Sequence, residues 1–250
     1  MESFAKLLTA IAALVGAVAW PGAILGVALV FRRELGSVLT KIPVMLDRVK
    51  KASVAGIALE LDRVADAEAQ AQTDDSGKIT PRQMEAAARI AVQSREVSAE
   101  TLLQELDRLC LEYDSLRRTM PSGRDRTRAM TRVIVKMRSL APTLVDFLDI
   151  YKGSGSAGSR LAAVAMMQMV PRVADLDWLR ERFSSEQPFV FYHAALALQN
   201  IASICHTPES KRNLRQVAQQ ALAAVKTFKG APDQGTIDVL DNLISSLPQL

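Results

Sequence analysis

Ala162-Ala163-Val164-Ala165-Met166 and Ala194-Ala195-Leu196-Ala197-Leu198 are one pattern met twice, 32 residues apart. At the same offset, Leu144, Phe147 and Tyr151 match Leu176, Leu179 and Phe183. Spacings of three and four residues put each of these triplets on one helical face. Each unit therefore reads as an apolar-striped helix, a Gly/Ser- or Pro-containing turn, and an alanine-rich helix. Alanine lets two helices approach closely without loss of helix propensity. One hairpin cannot bury its own apolar face, so such units stack on neighbours. The expected fold class is all-α.

Outward from the repeat, the helical signals continue. Thr80-Pro81-Arg82-Gln83 supplies a capping threonine, a proline at the first helical position and a glutamine that can return the cap. Leu102, Leu106, Leu109, Tyr113 and Leu116 recur at 4-3-4-3. Two heptads fall short of a coiled coil, so this seam is expected to pack within the chain. Pro121-Ser122-Gly123 ends that helix, and Met130, Val133, Met137 and Leu140 stripe the next. A helix after Thr207-Pro208, a break at Gly230-Ala231-Pro232 and a last helix from about Gly235 to Leu247 finish the chain. Over residues 143–205 the paired units resemble HEAT-type helical repeats, with a period shorter than is usual for that family. The resemblance implies a scaffold used for binding.

The other end of the chain has a different character. Leu7 to Phe31 is a run of 25 residues without a charged side chain, closed by Arg32-Arg33. As a helix it would rise about 37 Å, enough to cross a hydrocarbon core of about 30 Å with some tilt. It reads as a single transmembrane anchor over residues 1–31. A cleaved secretory signal is the rival, on the strength of Ala17-Val18-Ala19, but the apolar run continues well past Ala19. Trp20-Pro21-Gly22 predicts a kink, with a re-entrant hairpin as the other way to place it. Gly22 and Gly26 form a GxxxG, and Gly16 pairs with Ala12 at the same spacing, a pattern that lets helices associate in lipid. Chance occurrence of small residues explains the spacing equally well.

Charge is concentrated beside this run. Residues 1–51 hold seven Lys or Arg against three acids, whereas residues 52–250 hold 24 of each. The pI is therefore no argument for nucleic acid. Six of the early cations (Arg32, Arg33, Lys41, Arg48, Lys50 and Lys51) follow the run, which by the positive-inside rule places the C-terminal portion in the cytoplasm. Residues 32–69 read as a basic amphipathic segment on the membrane surface, with those cations facing anionic lipid. Within it, Ser53 to Leu61 fits a strand or continued helix. Residues 70–80 read as a linker, and residues 81–250 as the cytoplasmic helical domain. Cys110 and Cys205 are the only cysteines, in keeping with a reducing compartment.

The strongest chemical feature is a basic helix. From Arg117 to Arg138 there are eight cations and one acid, Asp125. Arg124, Arg128, Arg132 and Lys136 follow at a spacing of four, and an arginine fork grips phosphate or carboxylate in a bidentate manner. These four are candidate anion ligands, and His193 joins them as a group that could line the repeat. A solvated face paired with acids elsewhere is the competing account, since the rest of residues 52–250 carries a compensating negative charge. A lone histidine beside aromatics, as His193 is beside Phe189, Phe191 and Tyr192, is more often a structural hydrogen-bonding residue. The Gly153 to Gly158 run lacks the Lys-Ser/Thr of a phosphate loop and reads as a turn. No nucleophile is visibly matched with a base, and no Cys/His spacing suits a metal. No catalytic residue, cofactor or metal is therefore expected.

These readings converge on a single-pass membrane protein whose helical domain recruits a partner or ligand at the cytoplasmic face. Expected partners are membrane lipids, a protein partner or a second copy through the transmembrane helix, and an anionic small molecule. Nucleic acid is not expected. The alternative is a membrane-disrupting effector of a bacterial nucleotide-signalled antiviral defence system, oligomerising through Gly16, Gly22 and Gly26.

Overall fold

Helix α1 covers residues 54–70 and settles the ambiguity at its start. Ile57, Leu61, Val64 and Ala65 are buried, whereas Leu59 is 71% exposed. A strand would have buried 57, 59 and 61 together; the observed period is helical. The computed structural model of the chain describes residues 54–70, 78–230 and 234–248. Ser53–Leu250 form one compact unit, which includes α1. The expected anchor over residues 1–31 lies outside the described residues. So do Gly16, Gly22, Gly26, Arg32, Arg33, Lys41, Arg48, Lys50 and Lys51. Among the described residues no helix is long and apolar enough to cross a membrane.

Among the described residues nine further α-helices follow: α2 (Pro81–Gln93), α3 (Ala99–Thr119), α4 (Arg124–Leu144), α5 (Leu148–Lys152), α6 (Ala157–Met169), α7 (Leu176–Ser185), α8 (Pro188–Ala202), α9 (Pro208–Thr227) and α10 (Gln234–Ser246). No strand occurs among the described residues, so the chain is all-α. Helix starts are set by short polar side chains. Thr80, Ser98, Ser156, Asp175 and Thr207 each accept a hydrogen bond from the backbone N–H three residues on.

Packing follows two rows. Helices α2, α4, α6, α8 and α10 touch in succession, while α3 leans on α4 and α6, and α9 joins α7 to α10. The alanine repeats form the middle of the first row: Ala162, Ala163 and Ala165 of α6 and Ala194, Ala195 and Ala197 of α8 are all fully buried. The α3 seam also faces inward, with Leu102, Leu106, Leu109 and Tyr113 buried. The leading arms of the two repeat units differ. Residues Leu176–Ser185 form a continuous helix, but the matching stretch begins with a 3-10 turn, Val145–Phe147, before the short α5. Just upstream, Pro142 in the last turn of α4 lacks the N–H that would bond the Arg138 carbonyl, which weakens the helix where it ends.

Side chains bolt the rows together. Asp114 of α3 accepts from Ser156 Oγ (2.6 Å) and from the Gly158 N–H (2.9 Å), fixing the start of α6. Tyr151 donates to Asp107 at 2.8 Å. Glu186, buried at the end of α7, ion-pairs with Arg160 of α6 and lies 3.9 Å from Arg182.

Candidate functional site

The ridge Arg124, Arg128, Arg132 and Lys136 is a real feature of α4, but its two ends do different things. Lys136 reaches Asp62 of α1 at 2.5 Å, and Arg132 pairs with Asp66 one turn further along α1. Lys136 is itself buried. Half of the ridge is thus engaged in docking α1 onto α4. Arg124 and Arg128, one to two turns earlier, are exposed.

His193 stands apart from the ridge, in a polar cluster inside the helix rows. Arg138 of α4, Gln83 of α2, Gln168 of α6 and His193 of α8 are each about 1% exposed. Arg138 donates Nε–H to Gln168 Oε1 (2.7 Å), Nη1–H to Gln83 Oε1 (3.4 Å) and Nη2–H to His193 Nδ1 (3.1 Å). Gln168 Nε2 in turn donates to the His193 carbonyl at 2.6 Å. A guanidinium has no acceptor, so His193 must present a bare Nδ1 and carry its proton on Nε2. Burial, reinforced by the charge of Arg138, holds the imidazole well below its ordinary pKa. Burial also lowers Arg138 to about 10, against the opposing field of Tyr192 and Glu68. The cluster therefore holds a neutral histidine against a buried cation. It ties four helices together, with the His193 Nδ1 lone pair engaged by Arg138.

Gln83 departs from the sequence expectation. Thr80 Oγ1 does accept from the Gln83 N–H at 3.2 Å, but the Gln83 side chain turns inward to Arg138 and does not return the cap. The Thr80 hydroxyl donates instead to Glu68 of α1 at 2.6 Å. Sequence reasoning also passed over Gln168 and Asn200, which sit at the repeat offset of 32. Asn200 Nδ2 donates to the Gln168 carbonyl at 3.1 Å, so the two equivalent positions bond to each other. A polar residue recurring inside two alanine-rich apolar helices was the signal.

Cations outside any ion pair among the described residues gather at the α3–α4 corner. Arg117 and Arg118 end α3, and Arg124, Arg126 and Arg128 open α4. None of the five forms an ion pair with a described residue. At a rise of about 1.5 Å per residue, all five lie within about one and a half turns of the hairpin tip. Two are held in place: the Arg117 guanidinium stands 5.9 Å from the Tyr113 ring centroid, and Arg126 donates to the Met120 carbonyl at 3.3 Å. Gly123 turns the chain there at φ 155°, a conformation that residues with a side chain rarely adopt.

Elsewhere, Cys110 is buried and its thiol is pushed up to about 12 by burial, which makes it a poor nucleophile. Among the described residues no group of His, Cys, Asp or Glu is gathered for a metal ion. A cavity of about 280 Å³ lies between α1 and α3, lined by Val54, Ile57, Val97, Leu102 and the ion-paired Arg108. No protein family, curated protein or solved structure matches the chain.

Proposed function

We propose that the chain is a binding module held at a membrane by its N-terminal apolar run, and that its helical stack engages an anionic partner through the α3–α4 corner. The observation behind this reading is the contrast along a single helix. Arg132, Lys136 and Arg138 are occupied by other helices of the domain, whereas Arg124, Arg126 and Arg128, with Arg117 and Arg118, form no ion pair among the described residues. Some solvent-facing cations elsewhere, such as Arg89 and Arg108, sit against glutamates, and others such as Arg172 and Arg212 are exposed singly rather than clustered. The alternating helix rows suit the HEAT-type resemblance, a scaffold that presents surfaces and does not carry out chemistry.

Retention of the full chain on a phosphate-bearing resin, in neutral detergent, tests the reading. The triple variant Arg118→Glu, Arg124→Glu, Arg128→Glu should elute at much lower salt than wild type. A control with the same charge change at exposed positions elsewhere (Arg172→Glu, Arg212→Glu, Lys226→Glu) should elute in between, close to wild type. Equal loss in the two triples would show that only net charge matters and would remove the corner from the account.

The spacing of Gly16, Gly22 and Gly26 inside the apolar run supports a second reading, a membrane-disrupting effector. Dye leakage from vesicles carrying the full chain, abolished by Gly22→Leu with Gly26→Leu, would favour it. Tight vesicles would favour the binding module.

A further inference from the structure

We infer that the anionic partner of the α3–α4 corner is a lipid surface, a conclusion that rests on the membrane-held reading above. The corner is the turn of a helical hairpin, and its arginines come from two helix ends joined by Met120 to Gly123. Small anions are held in concave sites where several groups converge on them. Charges spread along an exposed turn, with Arg118, Arg124 and Arg128 open to solvent, instead match an array of many phosphates.

Two details fit a bilayer better than other polyanions. Between Arg118 and Arg124 lies Met120-Pro121, with Pro121 exposed and Met120 half-buried, so an apolar pair sits in the turn with arginines before and after it. An apolar tip with flanking arginines suits the headgroup boundary, where the stems of the cations can lie along apolar surface and the forks can meet phosphate. Single-stranded nucleic acid would call for exposed aromatic platforms, and the one aromatic ring at the corner, Tyr113, is fully buried beneath Arg117. A chain carrying the Leu7 to Phe31 run would also have a bilayer as its nearest polyanion.

The test places an environment-sensitive fluorophore at the tip through Ser122→Cys in the full chain. Ser122 is exposed, and the two native cysteines are buried, so the label reports the corner. The chain is incorporated into vesicles of phosphatidylcholine alone or mixed with phosphatidylglycerol. A blue shift is expected only with phosphatidylglycerol. It should be reversed by high salt and lost in the Arg118→Glu, Arg124→Glu, Arg128→Glu variant, whose titration with added anionic vesicles should weaken about tenfold or more.

No shift in the mixed vesicles, or the same shift in both compositions, would overturn the inference. So would an equal shift produced by inorganic phosphate or a short oligonucleotide in detergent, which would make the corner a soluble-anion or nucleic-acid site. Failure of the chain to incorporate into either vesicle would instead count against the anchor. The same probe read with anionic vesicles added from outside would then still decide the corner.

Discussion

Replacing Gly158 by alanine should destabilise the domain, although alanine is the better helix former. Gly158 lies in the first turn of α6, pressed against α3. A Cβ added there would fall 2.1 Å from the Cys110 carbonyl oxygen, 2.7 Å from its carbon and 2.9 Å from its Cα. Ordinary contact begins near 3.4 Å, so the two helices would have to part by about 1.3 Å. The obstacle is backbone, which cannot swing aside as a side chain can. Overpacking of this kind costs about 1–3 kcal/mol, here near the upper end, against a helix-propensity gain of about 0.5–1 kcal/mol. The separation also strains the Asp114 bonds to Ser156 and Gly158. A net loss of about 2 kcal/mol corresponds to a fall in Tm of about 4–8 °C for a domain of this size. Thermal unfolding followed by circular dichroism reads it, with Gly155→Ala as control. Gly155 is exposed with nothing within 4 Å of its built Cβ, so that change should be nearly silent. A Gly158→Ala chain as stable as wild type would refute the close approach of α3 and α6.

The polar interior gives three further outcomes. Arg138→Met removes the donor from two glutamine oxygens and from His193 Nδ1, and should cost about 3 kcal/mol in urea unfolding; Arg138→Lys should recover only part, because one ammonium cannot fork to acceptors on three helices. His193 is kept neutral in the fold, while the unfolded chain protonates it below about pH 6.5. The unfolded state then binds the extra proton, so stability should fall as pH drops from about 6.5 toward 5, by up to about 1.4 kcal/mol per unit. A flat profile in urea titrations across that window would contradict the buried neutral imidazole. Glu186→Gln should cost about 2–4 kcal/mol by leaving Arg160 and Arg182 without their buried carboxylate, whereas Glu181→Gln, on an exposed partner of Arg182, should shift unfolding by less than about 1 kcal/mol.

Much of this architecture was legible because it is carried by local periodicity. The 4-3-4-3 seam of α3, the alanine runs of α6 and α8 and the caps at Thr80 and Thr207 are each written within a few residues. What escaped was set by partners distant in sequence. Arg132 and Lys136 look like half of an anion site until α1 brings Asp62 and Asp66 against them. Arg138 shares their basic stretch, yet it faces the opposite way, into the protein, because its position falls beside Val135 and Met137 on the buried side of α4. Residues 54–69 were grouped with the basic segment before them, since an amphipathic helix reads alike whether its apolar face meets lipid or other helices. The remaining cations were found by subtraction: once tertiary pairing removes Arg132, Lys136 and Arg138, the corner is what is left.

If the charge of that corner is held for a partner, it contributes little to the fold. The decisive measurement is the Tm of the full chain carrying Arg118→Glu, Arg124→Glu and Arg128→Glu. A glutamate at the start of α4 favours the helix dipole and one at the end of α3 opposes it, so these effects offset. The expected Tm lies within about 2 °C of wild type. A fall of about 5 °C or more would show that the arginines hold the structure together, and would contradict a corner reserved for binding.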